Sequence, residues 1–147
     1  MIAIGCDHAA VELKQLIIKH LESKGYKVKD YGCHTSESVD YADYALAVAN
    51  AVAGGECEKG ILICGTGIGM SIAANKVKGI RCAVCGDTFS ARATREHNDA
   101  NILAMGERVI GKGLAQDIVD VFLGTEFSGE ERHVRRIAKI TAIEDKQ

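Results

Sequence analysis

Short apolar runs alternate with longer runs of helical periodicity along this chain of 147 residues. The short runs have the length of buried strands, whereas the longer ones repeat apolar residues three and four positions apart, as a helix with one buried face does. This alternation is typical of repeated strand–helix units, which build a parallel sheet covered by helices on both faces. We therefore expect an α/β fold.

The pattern can be divided into individual elements. The predicted strands are residues 1–5, 26–32, 59–65, 80–85 and 100–106, each followed by a helix, and residues 41–52 and 114–123 are two of these helices. The helix after the fourth strand is predicted to begin at Asp87-Thr88, because both residue types favour helix N-caps. A charged tail helix carries an apolar stripe of Val134, Ile137, Ile140 and Ile143. We expect a Rossmann-like three-layer α/β/α sandwich, with a parallel sheet of about five strands and a C-terminal helix. No linker interrupts the pattern, so residues 1–147 are predicted to form one domain.

Composition argues against several classes of function. The net formal charge is −2 with both signs interspersed, so the chain lacks the overall basic field of proteins that bind nucleic acid or anionic membranes. No stretch approaches a membrane span, and the run Met1–Ile4 is typical of a strand and not of a signal peptide. We expect a cytoplasmic protein that binds a small molecule, and neither nucleic acid nor membrane.

The six cysteines are predicted to be free thiols, because they are spread through an aliphatic-rich chain without an export signal. Cys82 and Cys85 have the CxxC spacing of some zinc and redox sites. In a strand over 80–85, however, residues three apart point to opposite faces, and the chain has no second CxxC pair. We expect no metal site.

Chemically versatile residues follow several of the predicted strands. Asp7-His8 follows the first strand, Cys64 ends the third, Asp87 follows the fourth, and His97-Asn98 ends the helix before the fifth. In open α/β sheets, ligands bind at the carboxyl ends of the strands, near the point where the strand order reverses. We expect these side chains to converge on that edge.

Three glycines in Gly65-Thr-Gly-Ile-Gly69 follow Cys64 at alternate positions. Without Cβ atoms the backbone can approach an anion closely, and successive amides together with a helix N-terminus form a nest of partial positive charge. A tight turn without a ligand is the simpler alternative. A dinucleotide-binding loop is another, because Asp87 follows about 20 residues on, but Met70 stands where its third glycine would be.

Cys64 differs from the other thiols because it begins this glycine segment, where amides and a helix dipole would favour the thiolate. A thiolate can act as a nucleophile or as a base, although a buried cysteine often serves only as a small apolar residue. His97 has a similar alternative as a helix C-cap, and His8 as a loop residue.

Arginines offer a possible phosphate site. Arg132 and Arg136 are four residues apart, so one face of the tail helix presents both guanidinium groups, which suit bidentate binding of phosphate. A solvated basic face is the alternative. Arg108, just after the fifth strand, is a third candidate.

These segments resemble the type B ribose-5-phosphate isomerases, within a wider group that includes galactose-6-phosphate and allose-6-phosphate isomerases. The matching segments run nearly from end to end: GCDHAA (5–10), DYA (40–42), GILICGTGIGMSIAANK (60–76), GIRCAVC (79–85), REHNDANILAMGERV (95–109) and ERHVRR (131–136). The cysteine–glycine segment together with HND is specific, whereas DYA alone would mean little.

The resemblance implies interconversion of ribose 5-phosphate and ribulose 5-phosphate, with a six-carbon aldose 6-phosphate as the alternative substrate. It implies that Cys64 is the base that moves a proton between C2 and C1 through a cis-enediolate. His97, with Thr66, would open the sugar ring. The remaining implied contacts are Gly65, Gly67, Ile68 and Gly69 to the oxyanion, Asp7, Asn98 and Tyr41 to the sugar, and His8, Arg108, Arg132 and Arg136 to the phosphate.

One branch of the family uses a glutamate base just after the last glycine of the loop. Here that position is Met70 and the cysteine is present, so the thiolate branch is the match. The resemblance further implies no cofactor, and a homodimer or dimer of dimers in which His97-Asn98 completes the site of a neighbouring subunit. A phosphosugar-binding sensor without turnover is the alternative from another class, although binding alone needs neither a base nor a ring-opening acid.

Overall fold

The computed structural model describes all 147 residues and contains five strands and six helices. The strands are β1 (Ile2–Cys6), β2 (Val28–Asp30), β3 (Lys59–Cys64), β4 (Cys82–Val84) and β5 (Ile102–Gly106). The helices are α1 (Val11–Ser23), α2 (Tyr41–Ala53), α3 (Ile68–Ala74), α4 (Thr88–Asn98), α5 (Lys112–Gly124) and α6 (Glu131–Asp145). None of these helices combines the length and apolarity that crossing a bilayer would require.

All five strands pair in parallel, in the order β2-β1-β3-β5-β4. The predicted parallel α/β sandwich is therefore confirmed, and each predicted strand exists. The two strands at the sheet edges are shorter than the sequence suggested, with three residues each in place of the predicted 26–32 and 80–85. Edge strands have a hydrogen-bonding partner on one side only, which is why their pairing ends early.

Two apolar cores lie on opposite faces of the sheet. One joins α1, α4 and α5 to the strands, with Ile17, Leu103 and Phe122 fully buried. The other lies under α2 and α3, where Val48, Leu62 and Met70 are buried. Helices on both faces explain why β1, β5 and residues 60–64 of β3 contain no charged or polar side chain and do not alternate.

The topology reverses between β1 and β3. The chain passes from β1 outward to β2 and then returns across β1 to β3, so the connecting helices α1 and α2 cover opposite faces. A crevice opens at the carboxyl ends of two strands where such a reversal occurs. Asp7 and Cys64 flank this crevice, and the Asp7 amide donates to the Ile63 carbonyl at 3.2 Å.

A fully buried lysine braces the sheet beside this crevice. Lys14 of α1 donates from Nζ to both carboxylate oxygens of Asp30, at 2.8 and 2.9 Å, and to the Cys33 carbonyl at 2.7 Å. All three ammonium donors thus have acceptors, which a buried charge requires. Cys33 in turn donates its amide to the Cys6 carbonyl at 2.9 Å, so the brace ties the segment after β2 to the end of β1.

Cys82 and Cys85 lie on opposite faces of the sheet, as their spacing in a strand predicted. Cys82 packs against the core under α2 and α3, whereas Cys85 is buried in the core on the other face. Burial raises the pKa of the Cys82 thiol to about 12 and that of the Cys85 thiol to about 11. Both groups are therefore neutral thiols at physiological pH. No group of three or more His, Cys, Asp and Glu side chains has an arrangement that could hold a metal ion.

Lys14→Met should lower the free energy of unfolding by roughly 2–3 kcal/mol, because it leaves Asp30 and the Cys33 carbonyl without their donor. The loss should fall below that of a fully buried pair, since Asp30 is partly exposed. Lys19→Met on the exposed side of the same helix is the matched control, with a change within about 0.5 kcal/mol. Urea denaturation measures both. Equal free energies of unfolding for the two variants would contradict the stabilising role given to Lys14.

Candidate active site

The loop after β3 is shaped by two close approaches of its backbone to β5. Gly67 has φ +81°, and a Cβ there would lie 2.9 Å from the Met105 carbonyl carbon. A Cβ on Gly106 would lie 2.7 Å from the Thr66 backbone. Only glycine fits these two positions, so the glycine loop (residues 65–69) lies flat against the end of β5. The sequence suggested that these glycines let the backbone approach an anion. In the structure, Gly67 also lets the loop backbone approach β5 of the same chain.

Cys64 lies beneath this loop, with 5 % of its surface exposed. Its sulfur accepts a hydrogen bond from the Gly67 amide at 3.1 Å. A hydrogen-bond donor interacts more strongly with a sulfur atom that carries negative charge, so this amide is placed to assist a reaction in which the Cys64 sulfur attacks or takes up a proton. Cys64 is the last residue of a strand bonded on both sides, which fixes its position.

Four amides in the segment that follows Cys64 have no protein acceptor. They belong to Gly65, Thr66, Gly69 and Met70, the last two in the first turn of α3. The first amides of a helix lack intrahelical partners, and together with the loop amides they form a partially positive nest. The Ile68 amide is occupied, because it donates to Thr66 Oγ1 at 3.2 Å. The arrangement can stabilise an oxyanion held close to Cys64.

Asp7 and His8 extend from β1 toward the same nest. Asp7 is buried, and its Oδ1 accepts from the Ala9 amide at 3.0 Å, which orients the carboxylate. His8 Nδ1 accepts from the Val39 amide at 3.1 Å. A ring nitrogen that accepts carries no proton, so the proton of a neutral His8 is on Nε2, free to donate to a ligand.

Tyr41 and Arg108 border the nest from either side. The Tyr41 ring packs against Gly69, where a Cβ would come within 2.6 Å of it. The Arg108 guanidinium lies over Gly65, with Nη1 3.8 Å from the Cβ position of that glycine. Arg108 is exposed and forms no ion pair with a carboxylate of the chain, so its charge is available to an anion.

His97 and Asn98 do not lie at this edge, and the expectation that they converge with Cys64 in one chain is wrong. Helix α4 begins after β4 and runs back across the sheet, so its last residues lie where the strands begin. The Asn98 carbonyl accepts from Arg81, the residue before β4. Eleven helical residues span about 16 Å, which separates His97 from the carboxyl edge of the sheet.

His97 belongs instead to a second group of residues, which we call the His97 cluster. It contains the predicted site residues His97, Asn98, Arg132 and Arg136, together with His133. The His97 ring stacks on His133 with centroids 4.5 Å apart and planes 15° apart. Both arginines lie on α6, as their spacing predicted. Arg132 pairs with Glu130, whereas Arg136 has no carboxylate partner. The other face of His97 is exposed.

His133 is the residue that sequence reasoning missed. It is 6 % exposed, and its Nε2 has no hydrogen-bond partner in the chain. Burial, followed by the nearby Arg132, lowers the pKa of His133, so this imidazole is neutral at physiological pH. Its position between Arg132 and Arg136 in the segment ERHVRR was the available signal, although spacing alone did not show that it meets His97.

Asp87 has a structural role that accounts for it without a ligand. Its Oδ1 accepts from the Ser90 amide at 2.6 Å and its Oδ2 from the Ser90 hydroxyl at 3.0 Å, which caps the N-terminus of α4 as predicted. Both Asp87 oxygens are therefore occupied within the chain. The dinucleotide-binding alternative required this carboxylate to bind a ribose, so the structure does not support it.

A buried cysteine under free amides, at the reversal point of an open parallel sheet, defines a catalytic-type site for a small anionic substrate. The chain belongs to the Ribose/Galactose Isomerase family, whose model matches residues 2–140. The resemblance that the sequence motifs indicated is therefore confirmed.

Three relatives illustrate the similarity. The chain is 53 % identical over 146 residues to ribose-5-phosphate isomerase B of Escherichia coli (strain K12), an alignment that covers 99 % of this chain and 97 % of that protein. It is similar in structure to ribose-5-phosphate isomerase B of Clostridium thermocellum, with a TM-score of 0.97, 59 % identity, and 99 % and 97 % of the two chains covered. It is also similar in structure to ribose-5-phosphate isomerase B from Mycoplasma genitalium with bound ribulose-5-phosphate, with a TM-score of 0.94, 40 % identity, and 99 % and 97 % of the two chains covered.

Gly67→Ala should slow alkylation of Cys64, because it displaces the amide that bonds the sulfur. Gly79→Ala is the matched control: φ is +88° there, but no atom lies within 4 Å of the added Cβ. Gly79→Ala should lose about 1 kcal/mol of stability from the positive φ alone. Gly67→Ala should lose more, because its Cβ also meets the Met105 backbone, and only this variant should change the thiol. Peptide mass spectrometry after timed iodoacetamide treatment measures the rate. An unchanged rate in Gly67→Ala would contradict the role given to this amide.

Proposed function

We propose that this protein interconverts ribose 5-phosphate and ribulose 5-phosphate, with residues 1–147 acting as one catalytic domain. The observation that carries the proposal is Cys64, which is buried, accepts a hydrogen bond from the Gly67 amide, and is followed by a segment with four amides that lack acceptors. Family membership and the names of the close relatives give the substrate. A cytoplasmic location stays a prediction.

The proposed reaction is a proton transfer between adjacent carbons of the open-chain sugar. The Cys64 thiolate removes the C2 proton of the aldose, the bonding pair forms the C1–C2 double bond, and negative charge moves onto O1. The free amides of the glycine loop stabilise this cis-enediolate, which is where preorganised donors contribute most to the rate. Return of the proton to C1, with transfer of the O2 proton to O1, gives the ketose. No cofactor takes part in this scheme.

The residues around the nest have matching roles. Asp7, fixed by the Ala9 amide, accepts from sugar hydroxyls, and Tyr41 lines the sugar site beside Gly69. His8 donates from Nε2 to the phosphate, because its Nδ1 is occupied by Val39. Arg108 adds an unpaired positive charge next to Gly65, which a phosphate dianion needs.

The His97 cluster completes the site from a second copy of the chain. His97, with Thr66, opens the furanose ring by proton transfer, Asn98 binds a hydroxyl, and Arg132 and Arg136 bind the phosphate. Strand geometry supports this division. The first and last residues of β3 are about 16 Å apart, and a residue at the far edge of the sheet in the same chain would have to cross that distance to reach Cys64. The exposed face of His97 is free for such a contact.

Exposed apolar residues support a homodimer, or a dimer of dimers. The stripe predicted on the tail helix exists, but Val134, Ile140 and Ile143 are 50, 44 and 60 % exposed in the single chain. Ile140 and Ile143 line a cavity of about 670 Å³ that extends to Asn98. Apolar surface of this kind is typical of a face that a further subunit covers.

A panel of four-, five- and six-carbon aldose phosphates tests the assignment directly. We expect the five-carbon phosphate to have the highest kcat/KM. Preferred turnover of allose or galactose 6-phosphate would establish the six-carbon alternative. Binding without turnover of any sugar phosphate would establish a sensor instead of an enzyme.

Cys64→Ala should abolish isomerisation and retain binding of ribose 5-phosphate, because it removes the base and leaves the cationic side chains in place. Turnover is followed by ketose formation and binding by calorimetry. Cys85→Ala is the control, since that thiol is buried in the core on the other face of the sheet and should leave turnover intact. Near-normal turnover in Cys64→Ala would refute the proposed base.

Shared sites predict complementation between two inactive variants. A heterodimer of Cys64→Ala and His97→Asn chains has one site with both residues intact, so about half of the wild-type activity should return. The two chains carry different tags, and the species with both tags is purified after subunit exchange. A heterodimer as inactive as its parents would show that each site is built within one chain.

A further inference from the structure

Three charged side chains outside the proposed site hold the short turn that carries His97 and Asn98. They are Asp99, Arg81 and Arg95. We propose that these residues, the Asp99 clamp, position His97 and Asn98 for the active site of the neighbouring subunit. The proposal rests on the proposed function, because it concerns how the second copy delivers its residues. The three residues touch no substrate in this scheme, so their role is positioning and not catalysis.

Asp99 changes the direction of the chain immediately after Asn98. It is the only residue other than glycine with positive φ, at +47°, and it forms the C-cap of α4. Left-handed backbone is uncommon for a non-glycine residue, and aspartate and asparagine adopt it most readily. The turn closes with the Ala100 amide donating to the Thr94 carbonyl at 3.2 Å. His97 therefore lies two residues before the cap of its helix, and its direction depends on this turn.

Arg95 holds the turn from the interior. Its side chain is almost fully buried, and Nη1 donates to Asp99 Oδ1 at 2.8 Å and to the Ala100 carbonyl at 2.7 Å. Its Nε donates to the Thr125 carbonyl at 3.0 Å, and the guanidinium lies 5.8 Å from the centroid of the Phe122 ring. Thr125 leads toward α6, so one guanidinium connects the His97 turn with the segment that carries Arg132.

Arg81 holds the same turn from the side of β4. Its Nε donates to the carbonyls of Asn98 and Asp99 at 3.0 and 3.1 Å, and its Nη2 to the Asp99 carbonyl at 2.9 Å. Its own amide donates to Asn101 Oδ1 at 2.8 Å, which fixes Arg81 to the start of β5. Two arginines thus bind the backbone carbonyls of the turn, from Asn98 to Ala100, and both also contact the Asp99 carboxylate.

This arrangement leaves the functional side chains free while the backbone beneath them is fixed. His97 and Asn98 are exposed, and neither side chain donates or accepts a hydrogen bond within the chain. A group that must reach across a subunit interface gains from a rigid base, because a misplacement of about 1 Å can reduce the rate about 100-fold. Asp99 is the common element, since its carboxylate meets Arg95 and, at a longer 3.5 Å, Arg81.

Asp99→Gly separates the carboxylate from the backbone conformation, because glycine adopts positive φ without strain. We expect kcat on cyclic ribose 5-phosphate to fall at least tenfold, with a smaller change in KM, since the loop amides and Arg108 still bind substrate. Asp99→Asn, which keeps an acceptor for Arg95 and tolerates this φ, should recover part of the loss. Full activity in Asp99→Gly would overturn the proposal.

Complementation distinguishes positioning in the neighbouring site from general damage. In a heterodimer with Cys64→Ala, the intact Cys64 of the Asp99→Gly chain meets a wild-type His97, so about half of the wild-type activity should return. In a heterodimer with His97→Asn, no site has both an intact Cys64 and a well-placed His97, and activity should stay near that of the parents. Failure to complement Cys64→Ala would show that Asp99 acts on its own chain's site, and would overturn the proposal.

The heterodimer of Cys64→Ala and His97→Asn is the reference that separates this proposal from the proposed function. If that reference is inactive, shared sites are refuted and the clamp proposal falls with them. The reference heterodimer can recover activity while the heterodimer of Asp99→Gly and Cys64→Ala chains does not. That result would support sites shared between subunits and refute only the proposed role of the Asp99 clamp. Thermal unfolding of Asp99→Gly serves as a check that the variant is folded at the assay temperature.

Discussion

The central strand β3 is the constraint on which the rest of the structure depends. It pairs with β1 over residues 59–63 and with β5 over residues 60–64, and every residue from Gly60 to Cys64 is buried. Side chains at its end therefore have fixed positions. Because Gly106 of β5 lies opposite Cys64, the loop that follows can rest directly on the neighbouring strand, and its amides are left to face a ligand. A rigid strand end under a partially positive loop is a preorganised environment for a base and an oxyanion.

The same polarity of the sheet divides the site between two places. Helices in a parallel α/β fold return the chain to the amino ends of the strands, so a residue at the end of a helix lies far from the strand ends that bear Cys64. His97 is such a residue. In the function we propose, one chain supplies the base and another supplies the ring-opening group, and the exposed stripe of α6 and the Asp99 clamp both serve that assembly.

Much of the fold was predictable because it depends on local patterns. Apolar runs marked all five strands, the cap at Asp87 marked the start of α4, and the four-residue spacing of Arg132 and Arg136 placed both on one face of α6. The strand order was not predictable, because it depends on which strands pair over long distances, and the chain places β5 between β3 and β4. The short edge strands and the partner of His97 also depend on pairing and packing that no local pattern encodes.

For the site, the sequence by itself determined the chemistry that is available: a cysteine followed by three alternating glycines, histidines in two segments, and a pair of arginines one helical turn apart. It also determined the family resemblance through those motifs. Only the tertiary structure decided how these groups are arranged. It placed Asp7 beside Cys64 through strand pairing, moved His97 to the opposite edge because α4 runs antiparallel to the strands, and buried His133 beneath it. Sequence spacing specifies neighbours within one element, whereas proximity between elements is set by how their buried faces pack.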